Sequence, residues 1–135
     1  MIVAAAHPGA RMAALWRGGA PILTRGDAIW WPQAEEDFSG PWAATAMATL
    51  QHELQHVLDY QIGWLTAARY LSRPTHWSYR LEIRPGLVWD ALGAEQRATA
   101  AELLWIAENA PARGSRADLR ILRDLIPWAA SSANP

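Results

Sequence analysis

The sequence predicts an α+β fold: a small, mostly antiparallel sheet packed on one long helix, with further helices around it. Three observations carry that expectation. From about Trp42 to Ile62, apolar residues recur at three- and four-residue spacing. "HWSYRLEIRPG" alternates, with Trp77, Tyr79, Leu81 and Ile83 set against Ser78, Arg80, Glu82 and Arg84. "AEQRATAAELLWIAEN" reads as a second strong helix, stopped before Pro111. At 135 residues the chain is expected to form a single domain over 1–135 with a real core.

Residues 1–20 are Ala- and Gly-rich with weak periodicity. They are expected to be loosely ordered, apart from a short helix around Ala10–Trp16. "PILTRGDAIWWP" reads as two short strands about Arg25-Gly26-Asp27, and the bracketing Pro21 and Pro32 suit an edge position. "QAEEDFSGP" reads as a loop. The helix over 42–62 presents Met47, Leu50, Leu54, Val57 and Leu58 on one apolar face, and Gly63 ends or bends it. "WLTAARYLSR" is a further helical stretch closed by Pro74. The alternating strand follows, turned at Pro85-Gly86, and "LVWDALG" leads into the second long helix. A last helix spans about Arg116–Ile126, with Ser115 and Asp118 at capping-box positions. One of its sides carries Leu119, Leu122 and Ile126, another Arg116, Arg120 and Arg123, the pattern of a solvated face.

Composition narrows the function classes. Half the residues are apolar and mean hydropathy is near zero, a globular profile. A net charge of −1 gives no global field for nucleic acid or an anionic membrane, and neither is expected as a partner. Nine tryptophans let a small domain bury more area per residue. The absence of cysteine excludes disulfides, thiolate metal sites and cysteine nucleophiles, so any metal must be held by histidine and carboxylate. The N-terminus is too broken by His7, Pro8, Gly9 and Arg11 for a signal peptide, and no apolar run reaches membrane-spanning length. The expected location is cytoplasmic, with leaderless export leaving no trace in sequence.

The chemistry concentrates in "TLQHELQHVLDY", where His52, Glu53 and His56 form H-E-x-x-H. Residues four apart on a helix share a face at about 5–6 Å between Cβ atoms, so two imidazoles can reach one metal ion. Zinc in hydrolytic sites takes three protein ligands and a water, and the glutamate after the first histidine serves as general base. Two of only four histidines fall at this spacing, inside a segment that is independently helical. The extended form with a third histidine is absent. The third ligand then comes from farther along: Glu95 first, with Glu102 seven residues on along the same face, and His76 as the other alternative.

The order "GDAIWWP … DFSG … ATLQHELQHVLDYQ … WSYRLEI … GLVWDALGAEQRATAAELL", roughly Ile22 to Leu104, resembles a group of small bacterial zincin-like metallopeptidase domains. Such domains are often encoded near toxin-delivery and contractile-injection systems. The resemblance implies a minimal zincin-like fold, a Zn2+ cofactor held by His52, His56 and Glu95, and hydrolysis of a peptide or protein substrate with Glu53 as base. Trp77 stands where the group usually has tyrosine, and Arg97 replaces a common glutamine; neither touches the proposed ligands.

Other residues have weaker claims. Tyr79 is a candidate oxyanion donor, although its alternation with Trp77, Leu81 and Ile83 also suits a buried face. His76 reads as a transition-state donor or a loop histidine, and Asp59 as a carboxylate orienting an imidazole or a solvated acid. The strand around Ala28–Trp31 is a candidate edge for an extended peptide, with Trp30 and Trp31 as core and surface aromatics respectively. Against the peptidase expectation stands a zincin-fold binding or structural module, metal-bound but proteolytically weak, within a protein-delivery complex.

Overall fold

A computed structural model describes residues 1–5, 7–8, 21–110 and 116–130. The helix expected around Ala10–Trp16 and the cap expected at Ser115 lie outside the described residues. The class is α+β, with six α-helices and a three-stranded mixed sheet among the described residues.

The sheet forms where "LTRGDAIW" folds back on itself. Strands β1 (Ile2–Val3), β2 (Leu23–Arg25) and β3 (Ala28–Trp30) lie in the order β1-β3-β2. Gly26 takes φ 63° at the first of two loop positions, a conformation that costs glycine no Cβ clash and suits a two-residue hairpin. Leu23 pairs with Trp30 and Arg25 with Ala28. On the other side β1 runs parallel to β3, with Trp31 N–H donating to the Val3 carbonyl at 2.8 Å. Three expectations are thereby corrected. The sheet is mixed rather than mostly antiparallel. β3 is its central strand, since Pro21 and Pro32 fall outside the paired residues. Within the stretch expected to be loosely ordered, residues 1–3 are tied down, the Met1 ammonium donating to the Asp27 carbonyl at 2.6 Å, while residues 9–20 lie outside the described residues.

"QAEEDFSGP" is helical rather than a loop: α1 spans Ala34–Ser39. Glu35, Glu36 and Asp37 in its first turn complement the helix dipole, and Asp37 also accepts from the Trp31 indole at 2.7 Å. Helix α2 spans Ala43–Gln61 and ends where Gly63 takes φ 73°. Helix α3 (Ala67–Ser72) starts at Thr66, whose hydroxyl accepts from Arg69 N–H, and stops ahead of Pro74.

The alternating segment is not a strand. Pro74–Trp77 forms a 3₁₀ turn and the chain then runs without ladder partners to Pro85. Its period-two pattern survives as burial only from Leu81 onward, where Leu81, Ile83 and Leu87 pack on a helical cluster while Arg80, Glu82 and Arg84 face water. Trp77 and Tyr79, expected on a buried face, are exposed. Alternation reports one side lying on an apolar surface; a helix surface satisfies it as well as a sheet does.

Helix α4 spans Ala94–Asn109. Helix α5 (Arg116–Leu125) ends two residues before Pro127, which lacks a donor and opens α6 (Pro127–Ala130). The apolar residues form two clusters. One joins Leu92, Ala100, Leu104, Leu122, Leu125, Ile126 and Ala129. The other joins Ile29, Trp31, Ala34 and Ala46, with Phe38, Leu50 and Val57 against it. Trp31 is thus the core aromatic and Trp30 the half-buried one, the reverse of the sequence expectation. Helix α2 lies along the second cluster and packs chiefly on α4. Among the described residues no helix is long and apolar enough to cross a membrane.

Candidate metal centre

The residues that α2 buries are mainly not its leucines. Leu54 is 44 % exposed, whereas His52, Glu53, Gln55, His56 and Asp59 are all buried. The polar side of α2 faces α4, where Ala94, Ala98 and Ala101 are buried. Buried polar groups need partners, and α4 supplies them. His52 Nε2 lies 2.9 Å and His56 Nε2 3.2 Å from the same atom, Glu95 Oε2. The two rings are nearly perpendicular, at 82°.

Glu95 is oriented from its other end. Its Oε1 accepts from the Tyr70 hydroxyl at 2.7 Å, leaving Oε2 for the imidazoles. His52 is held similarly, its Nδ1 lying 3.3 Å from Glu102 Oε2. Glu95 and Glu102, two turns apart on α4, therefore address the two nitrogens of one ring. A proton on Nδ1 facing Glu102 leaves the Nε2 lone pair free to ligate. Glu102, an alternative ligand from sequence, stands outside the three-residue group and faces the far nitrogen of His52 instead.

The electrostatics follow from this packing. Burial works against a charged His52, but hydrogen bonds to Glu102 and Glu95 and the charges of Glu53 and Glu95 outweigh it, raising the pKa from 6.5 to about 9. Burial likewise opposes ionisation of Glu95, yet hydrogen bonds from His52, His56 and Tyr70 and the charge of His56 hold its carboxyl well below the usual carboxylate range. Burial and then the hydrogen bond to Glu95 push the Tyr70 hydroxyl upward, so it remains a donor.

The donor set suits a metal ion. The three ligand atoms lie within 4.8 Å of one another, and two imidazole nitrogens with one carboxylate oxygen is a common set for a first-row dication. With bonds of about 2.0–2.1 Å in a tetrahedral arrangement, ligand atoms are roughly 3.4 Å apart. The separations of 2.9 and 3.2 Å need only small adjustment to reach that. His56 Nδ1 is buried without a hydrogen-bond partner, as is Asp59 Oδ2.

These ligand atoms open onto a cavity of about 520 Å³, lined also by Leu23, Thr24, Arg25, Tyr60, Leu65, Leu71 and Tyr79. Glu53 belongs to this wall, and its Oε2 accepts from the Thr24 hydroxyl at 2.5 Å. Tyr79 stacks on His52 with rings 17° from parallel and centroids 5.7 Å apart. Of the residues singled out in the sequence, His52, Glu53, His56, Glu95 and Tyr79 therefore meet in one cavity. Sequence reasoning missed Tyr70 and Thr24, which carry no motif and matter only through contacts made across the fold.

Two candidates are placed elsewhere. His76 accepts from Ala94 N–H through Nδ1 at 3.2 Å, and so satisfies the start of α4 rather than joining the cluster. Gly93 fits there because any Cβ would collide with the Thr75 carbonyl. Asp59 neither orients an imidazole by a hydrogen bond nor meets solvent. It accepts from Gln55 at 3.1 Å and pairs with Arg97 at 3.6 Å. Arg97 is itself buried, its guanidinium 3.5 Å from the Trp64 ring centroid. Comparison of the chain with protein-family models, curated proteins and solved structures finds no match.

Proposed function

We propose that the chain is a zinc-dependent peptidase of zincin-like arrangement, with His52, His56 and Glu95 as the ligands. The observation that carries this reading is the convergence of three ligand atoms in the cavity that also holds the Glu53 carboxylate. A zinc ion held by these three residues would polarise the substrate carbonyl as a Lewis acid and would lower the pKa of water to about 7. Glu53 takes the proton from the attacking water as its oxygen bonds the carbonyl carbon, then delivers that proton to the amine as the C–N bond breaks. The Thr24 hydroxyl holds one Glu53 oxygen and directs the other toward the water. Tyr79, 61 % exposed at the cavity wall, donates to the developing oxyanion once substrate covers it.

The strand that receives an extended peptide in this reading is β2, not β3. β2 is one of the two edge strands among the described residues, and Leu23, Thr24 and Arg25 all line the cavity.

The test has two parts. Protein purified without added metal is expected to contain about one zinc per chain; none would overturn the ligand assignment. Glu53→Gln is expected to keep that metal and to lose hydrolysis of an unfolded protein substrate; unchanged hydrolysis overturns the base assignment. A second reading, a metal-holding binding module in a protein-delivery complex, keeps the same ligands and gives Glu53, held by Thr24, no catalytic part. Bound zinc without hydrolysis by the wild type selects it.

A further inference from the structure

A second concavity of about 520 Å³ lies on the other side of α3, walled by Trp64, Ala68, Arg69, Ser72, Arg73 and His76. Helix α3 separates the two. Ala67, Tyr70 and Leu71 line the metal cavity, while Ala68, Arg69 and Ser72 line this groove, and no residue belongs to both.

The groove is cationic without compensation. No carboxylate lines it. From Tyr60 to Leu81 the chain carries Arg69, Arg73 and Arg80 and no acidic residue, in a protein whose net charge is −1. Asp59 on the α2 side and Asp90 ahead of α4 are both directed at Arg97, and Glu82, which follows Leu81, is exposed and does not line the groove. Among the described residues neither Arg69 nor Arg73 has a carboxylate partner. Arg69 donates to the Trp64 carbonyl and lies over its indole at 5.6 Å, which fixes the guanidinium against an aromatic wall. Arg73, four residues on, leaves the helix in an extended conformation and lines the same groove. His76, held by its Nδ1, has its pKa lowered first by burial and then by the charges of Arg73, Arg69 and Arg97. The positive field reaches the floor of the groove.

We propose that this groove is an anion-binding site, taking a phosphate or carboxylate group between the Arg69 and Arg73 guanidiniums. Each guanidinium presents paired N–H donors that match two oxygens of such a group. Ser72 and His76 add polar groups to the wall. The site is independent of the metal centre and of any hydrolytic activity.

The test is calorimetric titration of the full chain with inorganic phosphate and, separately, with succinate, in metal-free and zinc-loaded protein. Saturable binding of either anion in both forms is expected, weakened at least tenfold in Arg69→Gln/Arg73→Gln and weakened also by added salt. Phosphate alone binding assigns a phosphoryl ligand; succinate binding as well assigns the broader carboxylate class. Both arginines are exposed, and unchanged circular dichroism of the double variant separates lost binding from lost folding. The proposal is overturned if neither anion binds, if binding survives the double substitution, or if it appears only with zinc present.

Discussion

The Tyr70 hydroxyl and the two imidazoles divide the Glu95 carboxylate between them: Oε1 accepts from Tyr70 at 2.7 Å while Oε2 faces both Nε2 atoms. A carboxylate rotated by one hydrogen bond is pre-set for another, which is how outer partners tune a metal ligand. Tyr70→Phe should therefore retain the fold and weaken zinc affinity by about tenfold, within the 10- to 100-fold range usual for such partners. Glu95→Ala should cost far more, and Glu102→Ala should resemble Tyr70→Phe. Competition titration against a chromophoric chelator measures all three. A Glu102→Ala loss exceeding that of Glu95→Ala would move the third ligand.

The same pairings set the pH behaviour. In metal-free protein His52 has its pKa raised from 6.5 to about 9, so its stabilising pairing is complete below pH 6.5 and lost as pH rises through about 9. Glu95 is shifted the other way, so its contribution is complete above its ordinary value of 4.5 and declines as pH falls below that. Metal-free protein is expected to be most stable, as far as this pair decides it, between about pH 4.5 and 6.5. Zinc needs the unprotonated ring, so binding at pH 7 should release close to one proton. The rise in Tm on adding zinc should accordingly grow from pH 6 to pH 9. Thermal scans with and without metal check this; parallel pH profiles for the two forms would remove His52 from the ligand set.

Thr24 and Glu53 make a separate prediction, since their 2.5 Å contact joins the edge strand to the proposed base. Thr24→Val keeps the shape and removes the donor. It should lower kcat roughly tenfold with KM little changed, because proper orientation of a general base is worth that order. Thr24→Ser should recover most of the loss. Equal kcat in all three proteins would show that the hydroxyl has no part in positioning Glu53.

What could be seen in sequence was the candidate ligand group and the helices that carry it. His52, Glu53 and His56 sit one helical turn apart within a strongly patterned stretch, and Glu95 opens a helix whose bounds, Ala94–Asn109, match the predicted segment. The hairpin was legible because Gly26 announces its turn. The rest fails for identifiable reasons. β1 contributes only Ile2 and Val3, too short to carry a period, and exists through its pairing with β3. The segment after His76 alternates because Leu81 and Ile83 lie on helices, not because a strand pairs beside it. The apolar periodicity of α2 pointed to Leu54, but the centre buries the opposite kind of residue: the imidazoles and Asp59 face α4 because their partners are there. Amphipathic pattern identifies the helix; partner chemistry decides which side is covered.

Asp59 and Arg97, among the most deeply buried side chains of the α2–α4 interface, carry the last prediction. They are 1 % and 2 % exposed, their closest oxygen and nitrogen are 3.6 Å apart, and Arg97 Nε and Asp59 Oδ2 have no hydrogen-bond partner. Burial dominates both shifts, pushing the Asp59 carboxyl up and the Arg97 guanidinium down despite their mutual attraction. Such a pair contributes little net stability, yet removing one member strands the other charge in the interior. Arg97→Met and Asp59→Asn are each expected to destabilise by about 3–5 kcal/mol, the range for breaking a buried pair. The double variant should cost clearly less than the sum, since neither charge is then left behind. Urea unfolding of the four proteins closes the cycle. Strictly additive costs would mean that Trp64 and Gln55, rather than the opposite charge, hold each side chain in place.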